Sequence, residues 1–129
     1  MRSPLPLLLA SAALAACVTA PPPLPSYRYA GIDLGATIKG KVDLIDRCLI
    51  IEPVLDGQRQ PLVHLIMPLG TRLSGDTIIL PSENGGARID LGTVARFQGG
   101  YNTIDEMITW ARNPGKCRGD AFIVNRTYP

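Results

Sequence analysis

Residues 38–70 read IKGKVDLIDRCLIIEPVLDGQRQPLVHLIMPLG, and the period of this stretch decides the fold class. Ile38, Gly40 and Val42 alternate with Lys39, Lys41 and Asp43, the two-residue period of a strand with one wet face. Cys48 to Leu55 is a second apolar run, and Asp56-Gly57 is a hairpin signal leading into a third, Pro61 to Met67. Pro68-Leu69-Gly70 closes that run. Three strands joined by short turns make β-structure the ground plan of the chain.

The pattern continues toward the carboxyl terminus in shorter pieces. Thr77 to Leu80, Arg88 to Leu91, Val94 to Gln98 and Ala121 to Thr127 read as further strands, with Glu83 to Ala87 as a loop. One segment changes period. Thr103, followed three residues later by Glu106, has the form of a capping box, and Ile104, Met107, Ile108 and Ala111 then share a helical face. Asn113-Pro114-Gly115 ends it, which predicts a single helix of about two and a half turns. Seven or so strands with one short α-helix before the last predict a mainly β domain. A small β-barrel resembling the oligonucleotide- and oligosaccharide-binding (OB) fold in outline is one architecture, and a two-sheet sandwich is the other. Strand order stays open at this stage.

Composition agrees. The chain has 129 residues, 46% of them hydrophobic and 5% aromatic, with 13 glycines and 12 prolines. That is room for one small core built from interrupted runs. The formal charge is +2, and Arg28, Lys39, Lys41, Arg47 and Arg59 are scattered singly. No block of cations is available to neutralise a row of phosphates, so no nucleic acid partner is expected.

At the other end the chain reads MRSPLPLLLASAALAAC over residues 1–17: one positive charge at Arg2, an apolar stretch from Leu5 to Leu14, then small residues. This is the layout of a signal peptide, and the apolar run is far shorter than the ~20 residues that a membrane-crossing helix needs. Leu14-Ala15-Ala16-Cys17 resembles the lipobox of bacterial lipoproteins: an aliphatic residue, two small residues and a cysteine. The resemblance implies that residues 1–16 are removed, that the Cys17 sulfur carries diacylglycerol, and that the new amino group is a further acylation site. Two or more acyl chains at ~0.8 kcal/mol per buried methylene anchor a protein stably. An ordinary signal peptide cleaved after Ala13-Leu14-Ala15 or Ala10-Ser11-Ala12, with Cys17 incidental, is the alternative. Val18 follows the cysteine where an Asp would favour retention in an inner membrane, so an outer membrane facing the periplasm is the expected address. Residues 17–29, with four prolines between Pro21 and Pro25, read as a stiff tether, and residues 30–129 as the domain.

With Cys17 lipidated, Cys48 and Cys117 remain, and an even pair in an exported domain is most simply a disulfide, two buried thiols being the alternative. It would close a loop of about 70 residues, for which chain entropy gives roughly 4 kcal/mol. Gly40, Cys48-Leu49, Pro68-x-Gly70-x-x-Leu73, Gly99-Gly100-Tyr101 and Cys117-Arg118-Gly119 together resemble a family of small secreted bacterial domains. That resemblance implies a β-rich, disulfide-closed fold and carries no activity.

Nothing in the sequence assembles a catalytic constellation. His64 is the single histidine, lying among Leu62, Val63, Leu65 and Ile66 with no nucleophile elbow elsewhere, and it leaves no ligand set for a metal. Asp105 and Glu106 have a structural reason to stand in the first turn of a helix, and Asp56 in a turn. Asp33, Glu52 and Asp120 have no partner legible from spacing. Gly99-Gly100-Tyr101-Asn102 reads as a loop, and Tyr101 and Asn102 in it are the candidate ligand contacts, since a tyrosine ring can stack on a sugar or pack under a helix. The leading expectation is therefore a lipid-anchored, non-enzymatic envelope protein without cofactor, binding or supporting another envelope protein or a glycan. A cell-wall glycan hydrolase using paired carboxylates is the alternative.

Overall fold

The computed structural model describes residues 23–28, 34–107 and 111–128. The expected signal peptide, Cys17 and the expected tether up to residue 22 lie outside the described residues. Ten strands follow in chain order: β1 (Ser26–Tyr27), β2 (Ala36–Ile45), β3 (Cys48–Leu55), β4 (Gln58–Arg59), β5 (Val63–Pro68), β6 (Arg72–Ser74), β7 (Thr77–Ile79), β8 (Arg88–Asp90), β9 (Val94–Thr103) and β10 (Asp120–Thr127). A 3-10 turn covers Ser82–Asn84, and one helical turn, α1, covers Ile104–Met107. Among the described residues no helix is long and apolar enough to cross a membrane.

Five strands close a barrel. β5 pairs with β10, β10 with β9, β9 with β2, β2 with β3, and β3 returns to β5. Counted along the chain, the barrel strands therefore run 1-2-3-5-4-1, a closed Greek key in which only the β5–β10 seam is parallel. That is the OB-like barrel, not the sandwich. Alternation sorts the side chains as the 38–44 pattern predicts. Ile38 and Val42 of β2, Leu49 and Ile51 of β3, Val63, Leu65 and Met67 of β5, Phe97 of β9 and Phe122 and Val124 of β10 fill the barrel. Closure also removes most of the unpaired edge that a small sheet would expose.

The turns are made as their residues allow. β2 and β3 are joined by Asp46 and Arg47, both left-handed at φ 50° and 67°, and β3 and β4 by Asp56 and Gly57 at 53° and 76°. Two consecutive positive φ values are the signature of the two-residue hairpin turn whose twist suits strand pairs. Between β5 and β9 the chain does not add barrel strands. β6, β7 and β8 form a separate three-stranded sheet whose Ile78 and Ile89 close over the barrel interior. The 3-10 turn that follows β7 sends the fully buried Asn84 against β10, its Nδ2 donating to the Asn125 carbonyl at 2.9 Å.

Three expectations change. Gly99-Gly100-Tyr101-Asn102 is strand, not loop: β9 runs through to Thr103 opposite Asp120. A Cβ on Gly99 would run into the Ile123 carbonyl, so the glycine is what lets β10 approach so closely. Helical structure is described over Ile104–Met107 and has ended by Ala111, short of the expected two and a half turns. Its start is tied to the β9–β10 ladder, with the Ile104 N–H donating to the Gly119 carbonyl, and Arg112 exchanges backbone hydrogen bonds with Ser26. Ile108, and the Glu106 side chain of the expected capping box, lie outside the described atoms. Finally, the domain takes in residues read as tether. β1 lies parallel to β5, with Ser26 opposite Met67, and Leu24, Ser26 and Tyr27 are buried. The Tyr27 hydroxyl reaches the Val124 carbonyl at 2.8 Å and Asn125 Oδ1 at 2.9 Å, beside the bulge where β10 slips register. Proline does not prevent this, because β1 is an edge strand.

Candidate functional site

Outward-facing residues of β3, β5 and β10 do not all meet water. Ile50, Ile66, Ala121 and Ile123 are covered by Tyr27, Ile104, Cys48 and Cys117, which form a second, smaller apolar cluster outside the barrel. Cys48 and Cys117 are joined in a disulfide with Cα atoms 5.8 Å apart and a sequence separation of 69. The bond ties the start of β3 to the loop between β9 and β10.

Beside that bond the surface opens into a groove of about 990 Å³. Its floor is Ile50 and His64, neighbours across the β3–β5 pairing, together with the disulfide. One wall is the Ile45-Asp46-Arg47 turn, and the facing wall is the 113–117 loop with Lys116. Leu62 stands at the head of β5, and Pro23, the first described residue, completes the rim. Local chemistry holds the facing wall. Asn113 and Gly115 are left-handed at φ 54° and 55°, the Cys117 N–H returns to the Pro114 carbonyl at 3.0 Å, and the Arg118 guanidinium donates to Gly115 and Cys117 carbonyls. Arg118 also lies 3.7 Å from Asp105.

The lining is mainly aliphatic with charges at the lip. Ile45 and Leu62 are 48% and 47% exposed, large for residues of their type. Arg47 and Lys116 are exposed, and neither makes an ion pair among the described residues. His64 Nδ1 is 3.4 Å from the Asp120 carbonyl oxygen, close enough for a weak hydrogen bond in the tautomer that places a proton there. No three of histidine, cysteine, aspartate and glutamate cluster as a metal site among the described residues. Asp46 is the one carboxylate among the lining residues, whereas glycoside hydrolysis takes two across the bond to be cut.

The structure sets Tyr101 and Asn102 apart from this groove. Tyr101 stands at the barrel mouth, 61% exposed, with its ring edge-on to Phe122 at 5.0 Å. Asn102 Oδ1 accepts the Thr103 N–H at 2.8 Å, a local backbone duty. The groove residues Ile45, Arg47, Leu62 and Lys116 carry no sequence motif. The signal that could have led to them is the cysteine pair, which marks where two distant loops meet. No protein-family model, curated protein or solved structure matches this chain.

Proposed function

We propose that the chain is a bacterial envelope lipoprotein: processed before Cys17, held by acyl chains on that cysteine, and bearing a non-enzymatic barrel that binds another component of the envelope through the groove beside the disulfide. The observation that carries the binding role is the groove itself, an aliphatic trough with two cations, without ion-pair partners among the described residues, set between the first hairpin turn and the last long loop. In five-stranded OB-like barrels this face and these loops are where ligands sit. Lipidation is supported by the four-residue lipobox and by the apolar run before it. Export agrees with the Cys48–Cys117 disulfide, since such bonds persist in oxidising compartments. Val18 after the cysteine favours the outer membrane with the domain facing the periplasm.

Two measurements test the reading. The intact mass of mature protein extracted in detergent is expected to show residues 1–16 removed and acyl chains added, and Cys17→Ala is expected to leave an unacylated chain that no longer fractionates with membrane. A photo-crosslinking residue at position 62 is expected to give a defined adduct in cells, while the same probe at exposed Val94 gives none. Normal membrane fractionation of Cys17→Ala would refute the anchor, and equal adducts at the two positions would refute the groove.

A further inference from the structure

Of the chemistries an envelope offers, the groove fits one best. A glycan is gripped by stacking on large aromatic rings, and single-stranded nucleic acid likewise, yet no phenylalanine, tyrosine or tryptophan lines the groove among the described residues. What lines it is Pro23, Ile45, Ile50, Leu62, Pro114 and the disulfide, with Arg47 on one lip and Lys116 on the other. Asp46 is the single opposing carboxylate among the described lining residues, so the lip sets two cations against one anion. Aliphatic residues exposed beside basic ones are the composition of surfaces that enter the boundary between headgroups and acyl chains.

The tether then decides where the groove is held. Pro23 is part of its rim, and Cys17 is six residues upstream. Even fully extended, six residues span only about 20 Å. A lipid on Cys17 would therefore keep this lip, among all surfaces of the barrel, close to the bilayer from which the tether rises.

We propose that the groove binds an anionic phospholipid of the anchoring membrane, with Arg47 and Lys116 on the headgroup phosphate and Ile45 and Leu62 against the upper acyl segment. This rests on the lipoprotein reading above and narrows its envelope component to a lipid. The barrel would then lie on the membrane, not swing free of it.

The test uses the mature chain with Cys17→Ser, so that acylation contributes nothing, and vesicles of phosphatidylcholine with or without an equal part of phosphatidylglycerol. Sedimentation with the anionic vesicles is expected, with little on phosphatidylcholine alone. The pair Arg47→Glu/Lys116→Glu is expected to lower partitioning by about tenfold or more. Ile45→Ser/Leu62→Ser is expected to lower it comparably, and both pairs alter exposed positions that leave the barrel folded, which circular dichroism checks. Lys39→Glu/Lys41→Glu makes the same charge change on exposed positions of β2 outside the groove and is expected to leave binding intact. Failure to sediment, equal binding to both vesicles, or equal loss in the β2 control overturns the proposal. The mass of the wild-type mature protein reports the anchor separately. Absent vesicle binding with the acyl adduct present overturns the groove assignment alone, and an absent adduct overturns both.

Discussion

Two adjacent glycines separate two kinds of constraint. At Gly99 an added methyl meets the Ile123 carbonyl and the ring of Phe122, backbone and core that cannot give way. At Gly100 it meets only the Leu34 side chain, most closely its Cδ1 end, and Leu34 is 40% exposed. Gly99→Ala is therefore expected to cost about 2–4 kcal/mol in urea unfolding, with Gly100→Ala below about 1 kcal/mol. Similar losses at both would mean that β9 and β10 are not so closely apposed. A second residue-scale device is the Tyr27 hydroxyl, whose one proton has two acceptors within reach, Val124 O and Asn125 Oδ1, where the bulge in β10 disrupts the ladder. Removing it in Tyr27→Phe takes a donor from buried acceptors, and a loss of roughly 1–3 kcal/mol is expected by the same measurement.

Among the elements, the hairpin turn between β2 and β3 carries strain that glycine would relieve. Arg47 sits at φ 67°, where a β-carbon is unwelcome, and Arg47→Gly is expected to stabilise the fold by about 0.5–1 kcal/mol while removing one groove cation. The disulfide bridges that turn's end of β3 to the 113–117 loop. Cys48→Ala/Cys117→Ala is expected to lower stability by about 4 kcal/mol, read as a fall in the denaturation midpoint that reducing agent reproduces in the wild type. Elements with a local signature were legible before the structure: the period-2 run at 38–44, the Asp56-Gly57 turn and the β10 run all stand where their residues place them. What was not legible is long-range. The parallel seam of β5 with β10 joins positions 57 apart, and no local pattern reports such a partner. The glycine pair at 99–100 looks like loop material until β10 lies beside it. The Thr103-x-x-Glu106 pattern promised a longer helix, but Thr103 is held in the ladder opposite Asp120 and the Ile104 N–H is taken by Gly119. β1 is two residues beside a proline run, too short to carry any period. The groove was hidden for a similar reason, since its walls come from residues 45–47 and 113–117, and only the cysteines within them announced a meeting.

For the whole molecule the arrangement is a closed barrel with its first hairpin turn, its last long loop and its entry strand gathered at one side, the same side from which the chain leads back toward Cys17. Stability and attachment are thus not separate provinces. β1 runs along β5 and is fastened by Met67 N–H to the Pro25 carbonyl and Leu69 N–H to the Tyr27 carbonyl, and by the exchange between Ser26 and Arg112. On the proposed lipoprotein reading, a tug on the lipid at Cys17 would arrive at this short strand before it reached the barrel. Because the strand would be dragged along its own length, its bonds would share the load as rivets in a lap joint do, and would have to shear together instead of opening one by one. On that reading the two-residue strand would be the mechanical fuse of the protein, shearing before the closed barrel opens and lengthening the leash by several residues.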